Sequence, residues 1–427
     1  MRARPTLVLV ASWRPALVVC LSVAARILWR RHHPWLAASA LEILSHLSAA
    51  RWPLRPTMTL IAAVVRQPWP RRPSPALVAA VVQSPDIMSQ VLCHLSLPEL
   101  EMLGQVCSTW SEAVSMAREE RRVLRYEGSL GGSKGSRTGE LDLPFFVCVL
   151  PNRDVCVADF FNHRLQALSY PRAPSNRVLV GRQPNGMELS CPMGVACDGE
   201  HVYVAESGSS CLQKLRLSDW SLQLGTGRHG SSEGELRHPH GLALHGSRLF
   251  VADNDNHRVC VFDTQTLHFC FAFGQKGGAK GQLRDPCGLA VHRDVLYVAD
   301  LGNHRLQAFT VHGCWLRTIG RRGGAPGQFW GPWGVAVAQV AQGAVLCVGE
   351  SRARRVQVLG LDGTPLQVLT PPGAGSLAGL AVEHRGSGAQ ARARRVYVAD
   401  YGNHALLVLS VCDGGDGGED GPQLHEH

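Results

Sequence analysis

Six stretches of this chain align one under another: residues 155–168 read VCVADFFNHRLQAL, 202–215 VYVAESGSSCLQKL, 249–262 LFVADNDNHRVCVF, 296–309 LYVADLGNHRLQAF, 346–359 LCVGESRARRVQVL and 396–409 VYVADYGNHALLVL. Their starts lie 47, 47, 47, 50 and 50 residues apart. Each copy is an apolar run, a polar turn and a second apolar run. Before five of them stands a short segment opening on glycine: GVAC at 194–197, GLAL at 241–244, GLAV at 288–291, GVAV at 334–337 and GLAV at 379–382. Before the first copy, FVCV at 146–149 takes that place without the glycine. After most copies comes a further apolar segment ending in glycine, such as FAFG at 271–274 or RTIG at 317–320, and then a Gly-rich loop.

Short runs that alternate or are apolar throughout, separated by turn residues, read as strands. Each period therefore predicts an antiparallel meander of four strands. One such sheet cannot bury both of its faces alone. Stacking the sheets radially around an axis buries them and leaves only short edges. The fold class expected is an all-β six-bladed β-propeller over residues 122–412, preceded by a small α-helical module at 84–120 and a low-order basic leader at 1–80, and followed by a flexible tail at 413–427. Closure is legible too. Residues 123–144, VLRYEGSLGGSKGSRTGELDLP, resemble 270–286, CFAFGQKGGAKGQLRDP, while the last copy is followed by a Gly/Asp tail. Residues 122–127 are accordingly expected to supply the fourth strand of the last blade.

The formal net charge of +9 is unevenly placed. Residues 1–80 hold 11 Arg against the single acid Glu42, giving +10; 81–142 hold 6 basic and 9 acidic residues, giving −3; 143–427 hold 26 basic and 24 acidic, giving +2. The repeat region is thus close to neutral, which weakens a nucleic-acid reading drawn from charge alone. The leader reads as a low-order extension, with an Arg-rich mitochondrial-type targeting segment or a signal anchor as alternatives. Met58 offers another start. The apolar run 15–28 is interrupted by Arg26 and falls short of a membrane span, so no membrane partner is expected. The 14 cysteines are scattered, with no C-x-x-C pair, and several sit inside strand patterns as small hydrophobes. This points to a reducing compartment, cytoplasmic or nuclear, without a disulfide framework.

The V-A-D-x-x-N-H-R core resembles the NHL-repeat family, which implies a six-bladed ring used for binding protein or RNA. Copies two and five depart from it, with Glu206-SGSSC and Glu350-SRARR in place of the Asn-His pair. Asp159, His163, Asp253, His257, Asp300, His304, Asp400 and His404 recur blade by blade, whereas catalytic or metal ligands converge on one point. Their expected role is to hydrogen-bond the turn between second and third strands. His240 and His292 could mimic the axial zinc ligands of a lyase family with similar blades, but no third ligand accompanies them, and no metal, cofactor or catalytic residue is expected.

In a meander the second-to-third strand turns and the inter-blade loops share one face. That face would carry Phe160, Phe161, Arg228, His229, Lys276, Lys280, Arg321, Arg322, Trp330, Arg352, Arg354 and Tyr401, a mixture of aromatic and basic groups that forms the candidate ligand face.

Residues 84–116 read SPDIMSQVLCHLSLPELEMLGQVCSTWSEAVSM. Ile87, Val91, Leu92 and Leu95 follow helical spacing, Pro98 suits a new first turn, and Leu100, Leu103, Val106, Cys107 and Trp110 mark a second apolar face. The segment resembles the F-box, with Pro85 and Ile87 opening the pattern and Ser84 where that family has leucine. The resemblance implies docking of a Skp-family adaptor and cullin through Pro85, Ile87, Val91, Leu92, Leu95, Leu100, Leu103, Val106, Cys107 and Trp110. The function expected is a non-catalytic substrate-recognition subunit of an SCF-type cullin ubiquitin ligase, with a protein substrate on the propeller. The alternative is an NHL-type RNA-binding regulator.

Overall fold

The computed structural model describes residues 122–171, 176–180, 189–386 and 391–412. They form six four-stranded antiparallel sheets arranged as the blades of a propeller. The helical module of 84–120, the leader and the tail lie outside the described residues.

The first blade runs from inner to outer strand as Pro144–Val149, Val155–Asp159, Arg164–Leu168 and Arg177–Val180. The inner strands of the next blades are Pro192–Cys197, Pro239–His245, Pro286–His292, Pro332–Val340 and Leu377–Arg385. Each packs on the next around the axis, and Leu377–Arg385 packs back on Pro144–Val149 to complete the ring. The second strands of every blade are buried on both faces, as in Leu249 to Asp253 of blade three, which explains their unbroken apolar runs. Outer strands such as Phe269–Phe273 alternate between half-buried and exposed residues.

The sixth blade takes its outer strand from the opposite end of the chain. Leu124–Gly131 pairs antiparallel with Ala405–Val411, from Leu124 opposite Val411 to Gly131 opposite Ala405, with a bulge between Tyr126 and Gly128. The closing strand thus begins two residues later and extends four residues further than 122–127. Gln367 of blade five clips its start, accepting from the Val123 and Leu124 amides at 2.9 and 2.8 Å, and Arg395 pairs with Glu127 at 2.9 Å.

The apolar core lies between blades. Phe250, Val259 and Val261 of blade three pack with Leu296, Val298 and Phe309 of blade four, for example. Around the axis the inner strands approach so closely that glycine is needed. A Cβ on Gly241 would lie 2.5 Å from the Cys287 carbonyl oxygen, and one on Gly288 2.6 Å from that of Trp333. Phe146 stands at the equivalent position of blade one. Its ring reaches Gly379 of the neighbouring sixth blade and, across the axis, Gly241 of blade three, so it fills the axial channel at the level of the glycines. Among the described residues all cysteines are free, and burial pushes the Cys347 thiol up to about 12. No helix among the described residues is long and apolar enough to cross a membrane.

Candidate binding face

The Asp-Asn-His-Arg turns define the geometry of one face. In blade four, Asp300 is fully buried and accepts from the Arg284 amide at 2.7 Å, Asn303 Nδ2 at 2.9 Å, Arg305 Nε at 2.7 Å and Gln307 Nε2 at 3.1 Å. The remaining Arg305 nitrogens donate to the carbonyls of Gly278, Ala279 and Gln282 in the loop leading into the blade. The buried carboxylate is therefore fully hydrogen-bonded and ion-paired. Blades one and three repeat the pair, Arg164 with Asp159 and Arg258 with Asp253, each at 2.7 Å. In blade six Ala405 replaces the arginine, and burial then raises the Asp400 carboxyl above its ordinary range.

The histidines act between blades. His163, His257, His304 and His404 all adopt left-handed backbone, and each Nδ1 accepts an amide from the entry of the following blade: Cys191 at 3.1 Å, Asp285 at 3.2 Å, Gly331 at 3.1 Å and Leu143 at 3.2 Å. Each histidine thus staples its turn to the neighbouring sheet. His404 does so across the chain closure.

Blades two and five lack that staple. In blade two Ser207 Oγ lies 3.1 Å from His238 Nδ1, whose Nε2 lies 3.9 Å from Asp255. Ser207 is only 3% exposed, so this contact bonds adjacent blades and presents no accessible nucleophile. In blade five Ala353 and Arg354 occupy the Asn and His positions. Arg352 and Arg354 are exposed, and neither has a carboxylate partner among the described residues. The buried acid beneath them, Glu350, is engaged by Arg355 at 2.6 Å and the Trp330 amide at 2.6 Å.

These arginines stand over an aromatic layer at the axis. The second residues of three inner strands meet there: Phe145, His240 and Trp333. Trp333 stacks on Phe145 on one side and His240 on the other, with centroids 5.6 and 5.9 Å apart and interplanar angles of 14°. Tyr401 packs on Phe145 and Trp333 at 5.0 and 5.6 Å, and Phe160 meets Phe145 edge-on at 5.2 Å. A cavity of about 370 Å³ opens beside the layer, lined by Leu301, Trp333, Ser351, Arg352, Arg354, Ser376 and Tyr401. Arg352 and Arg354 bring two positive charges to its lining, and nearby His304 has its pKa lowered first by burial and then by the Arg322 and Arg352 charges, with Asp300 opposing. Two buried polar atoms of the layer, His240 Nδ1 and Trp333 Nε1, have no hydrogen-bond partner, and burial followed by the His238 charge pushes His240 down to about 3.

Of the twelve residues expected on this face, Phe160, Tyr401, Arg352 and Arg354 gather at the axis. Phe161 and Trp330 are exposed beside it, the latter under the Arg322 guanidinium at 5.2 Å. Arg228 is tied to Glu235 at 2.8 Å within its inter-blade loop, and Lys280 lies over Trp315 of an outer strand. Lys276 and Arg321 sit in the inter-blade loops, where the chain forms isolated bridges such as Lys276 with Leu283. Phe145 and Trp333 were not singled out from sequence. For Trp333 the signal was the one variable residue of the P-x-G frame in blades two to five; Phe145 lies in a P-F-F run without the glycine. His240 and His292 do not converge: they occupy opposite ends of their inner strands, and no group of three potential ligands forms a metal site among the described residues. The adaptor-docking residues 85–110 lie outside the described residues.

A family model described as NHL repeat matches residues 236–262, the third blade from its entry loop to its third strand. No curated protein matches the chain. Solved structures similar to it include a virginiamycin B lyase from Staphylococcus aureus with quinupristin, 14% identical over 66% of this chain and 82% of that one, with a TM-score of 0.44. A gluconolactonase from Xanthomonas campestris is 16% identical over 68% and 97%, with a TM-score of 0.48. A Bacteroides thetaiotaomicron protein of unknown function is 14% identical over 68% and 76%, with a TM-score of 0.49. At these identities the likeness is one of fold. It nevertheless corrects the expectation of a non-catalytic chain, since propellers of this kind include a lyase and a lactonase and the fold itself gives no ground for excluding catalysis. The class defined by the blades is a six-bladed β-propeller, whose third blade matches the NHL-repeat model.

Proposed function

We propose that this chain is the substrate-recognition subunit of an SCF-type cullin ubiquitin ligase. Residues 84–120 would dock the Skp-family adaptor and cullin, and the propeller face around Trp333 would hold a protein substrate. The observation that carries the substrate half is the fifth-blade turn. It gives up the histidine staple and the asparagine clip, and presents Arg352 and Arg354 over a floor of Trp333 and Tyr401. Arginine and large aromatic side chains at the centre of a face are the residue types that dominate binding energy at interfaces. The adaptor half is supported by the Pro85, Ile87 and Trp110 pattern in the sequence that directly precedes the propeller.

The test is co-purification of the tagged full chain with the adaptor and cullin, beside an Ile87→Asp/Trp110→Ala variant. The reading expects recovery with the wild type and loss in the variant, with an unchanged propeller melting transition. Absence of adaptor from the wild type, together with salt-sensitive crosslinking to RNA, would favour the RNA-binding alternative, because aromatic and arginine side chains also stack on bases.

A further inference from the structure

We infer that the ligand of this face is an acidic peptide segment carrying a flat or branched apolar side chain among its carboxylates. The inference rests on the reading of this face as the binding face and is independent of the adaptor. Three features of the cavity carry it.

First, it is lined by two arginines and no carboxylate. In the four blades that keep histidine, the turn's polar groups are consumed within the ring: Asn303 donates to Gly277 O at 2.8 Å, and His304 accepts the Gly331 amide. In blade five the equivalent Ala353 and Arg354 make no such bond, and Ser376, at the position of those amides, lines the cavity instead. The ring forgoes two stabilising contacts there and gains two exposed guanidinium groups. A guanidinium presents parallel N–H donors that match a carboxylate in bidentate geometry.

Second, the positive potential is felt by a neighbour, since the Arg322 and Arg352 charges contribute to the lowered His304 pKa. Third, beside Ser351 and Ser376 the rest of the wall is formed by Leu301, Trp333 and Tyr401, which suits an aromatic or branched side chain among the acids. Phe146 closes the channel below, so the ligand lies on the face and does not thread the ring.

A randomised peptide library displayed against the full chain tests this directly. The expected result is enrichment of sequences with two or more acids flanking Phe, Tyr or Leu, with the best peptide losing affinity as ionic strength rises. Arg352→Glu/Arg354→Glu should weaken that peptide at least tenfold and abolish the acidic enrichment, while Arg293→Glu, exposed in the first-to-second strand turn of blade four, should leave both unchanged. Arg352→Gln/Arg354→Gln serves if the charge-reversed variant fails to fold. Enrichment indifferent to acids, or acidic enrichment that survives in both arginine variants, would overturn the inference. Acidic enrichment lost with the arginines, but without adaptor co-purification, would sustain it and remove the ligase reading.

Discussion

Replacing His240 by phenylalanine should change how stability depends on pH. The imidazole is 9% exposed, stacked on Trp333, and its Nδ1 has no partner. Burial, with the His238 charge adding to it, lowers its pKa from 6.5 to about 3. The folded state therefore resists the proton that the unfolded chain accepts. The stability that follows from a neutral His240 is complete above pH 6.5 and falls as the pH drops towards 3, by about 1.4 kcal/mol for each pH unit. At pH 4.5, two units below the unfolded value, the wild type should have lost about 2.7 kcal/mol that the His240→Phe variant keeps. Phenylalanine preserves the stack and removes the orphaned nitrogen, so at pH 7.5 the variant should be equal to the wild type or up to about 2 kcal/mol more stable. The assay is the urea midpoint of both proteins from pH 7.5 to 4.5. All other residues are common to both chains, and the difference isolates His240. A gap opening below pH 6.5 is expected. A gap constant across the range would refute the burial argument.

Deleting residues 124–131 should cost the propeller its single cooperative calorimetric transition, because blade six loses its outer strand and Arg395 its Glu127 partner; an unchanged transition would remove the closure mechanism. Gly334→Ala would push a methyl into the Ala378 carbonyl of the next inner strand, and should destabilise by about 3 kcal/mol in denaturant titration. His257→Ala leaves the Asp285 amide without its acceptor, and should cost about 1 kcal/mol while blade count and circular dichroism stay unchanged.

Blade number and strand positions were legible because each copy carries its own turn chemistry at nearly fixed spacing. Asp300 and Arg305 are neighbours within one sheet, so their pairing is a local fact that repeats. The inter-blade roles were not legible in the same way. His304 meets Gly331 only because consecutive blades share an entry loop at that height, and His404 meets Leu143 only because the ring closes. The aromatic layer was hidden for a related reason. Within its own strand Trp333 reads as one more apolar residue before Gly334, and Phe145 as part of an apolar run. Radial packing alone brings Phe145, His240 and Trp333 of three inner strands together. Arg228 and Lys276 were placed on the ligand face because inter-blade loops share it with the second-to-third strand turns; Arg228 pairs with Glu235 in its own loop, whereas Arg352 and Arg354 line the cavity. The departure of the fifth copy from the repeat was visible from the start; its meaning depended on the floor beneath it.

The central claim is that blade five exchanged a structural turn for a binding one. The direct test is to give it the turn of blade four, through Ser351→Leu, Arg352→Gly, Ala353→Asn and Arg354→His in one chain, and to measure both the urea midpoint and affinity for the acidic peptide selected on the wild type. The account expects a midpoint equal or higher, as the new histidine regains an amide at Ser376, with peptide affinity at least tenfold weaker. Undiminished affinity, or a propeller that loses stability with the restored turn, would contradict it.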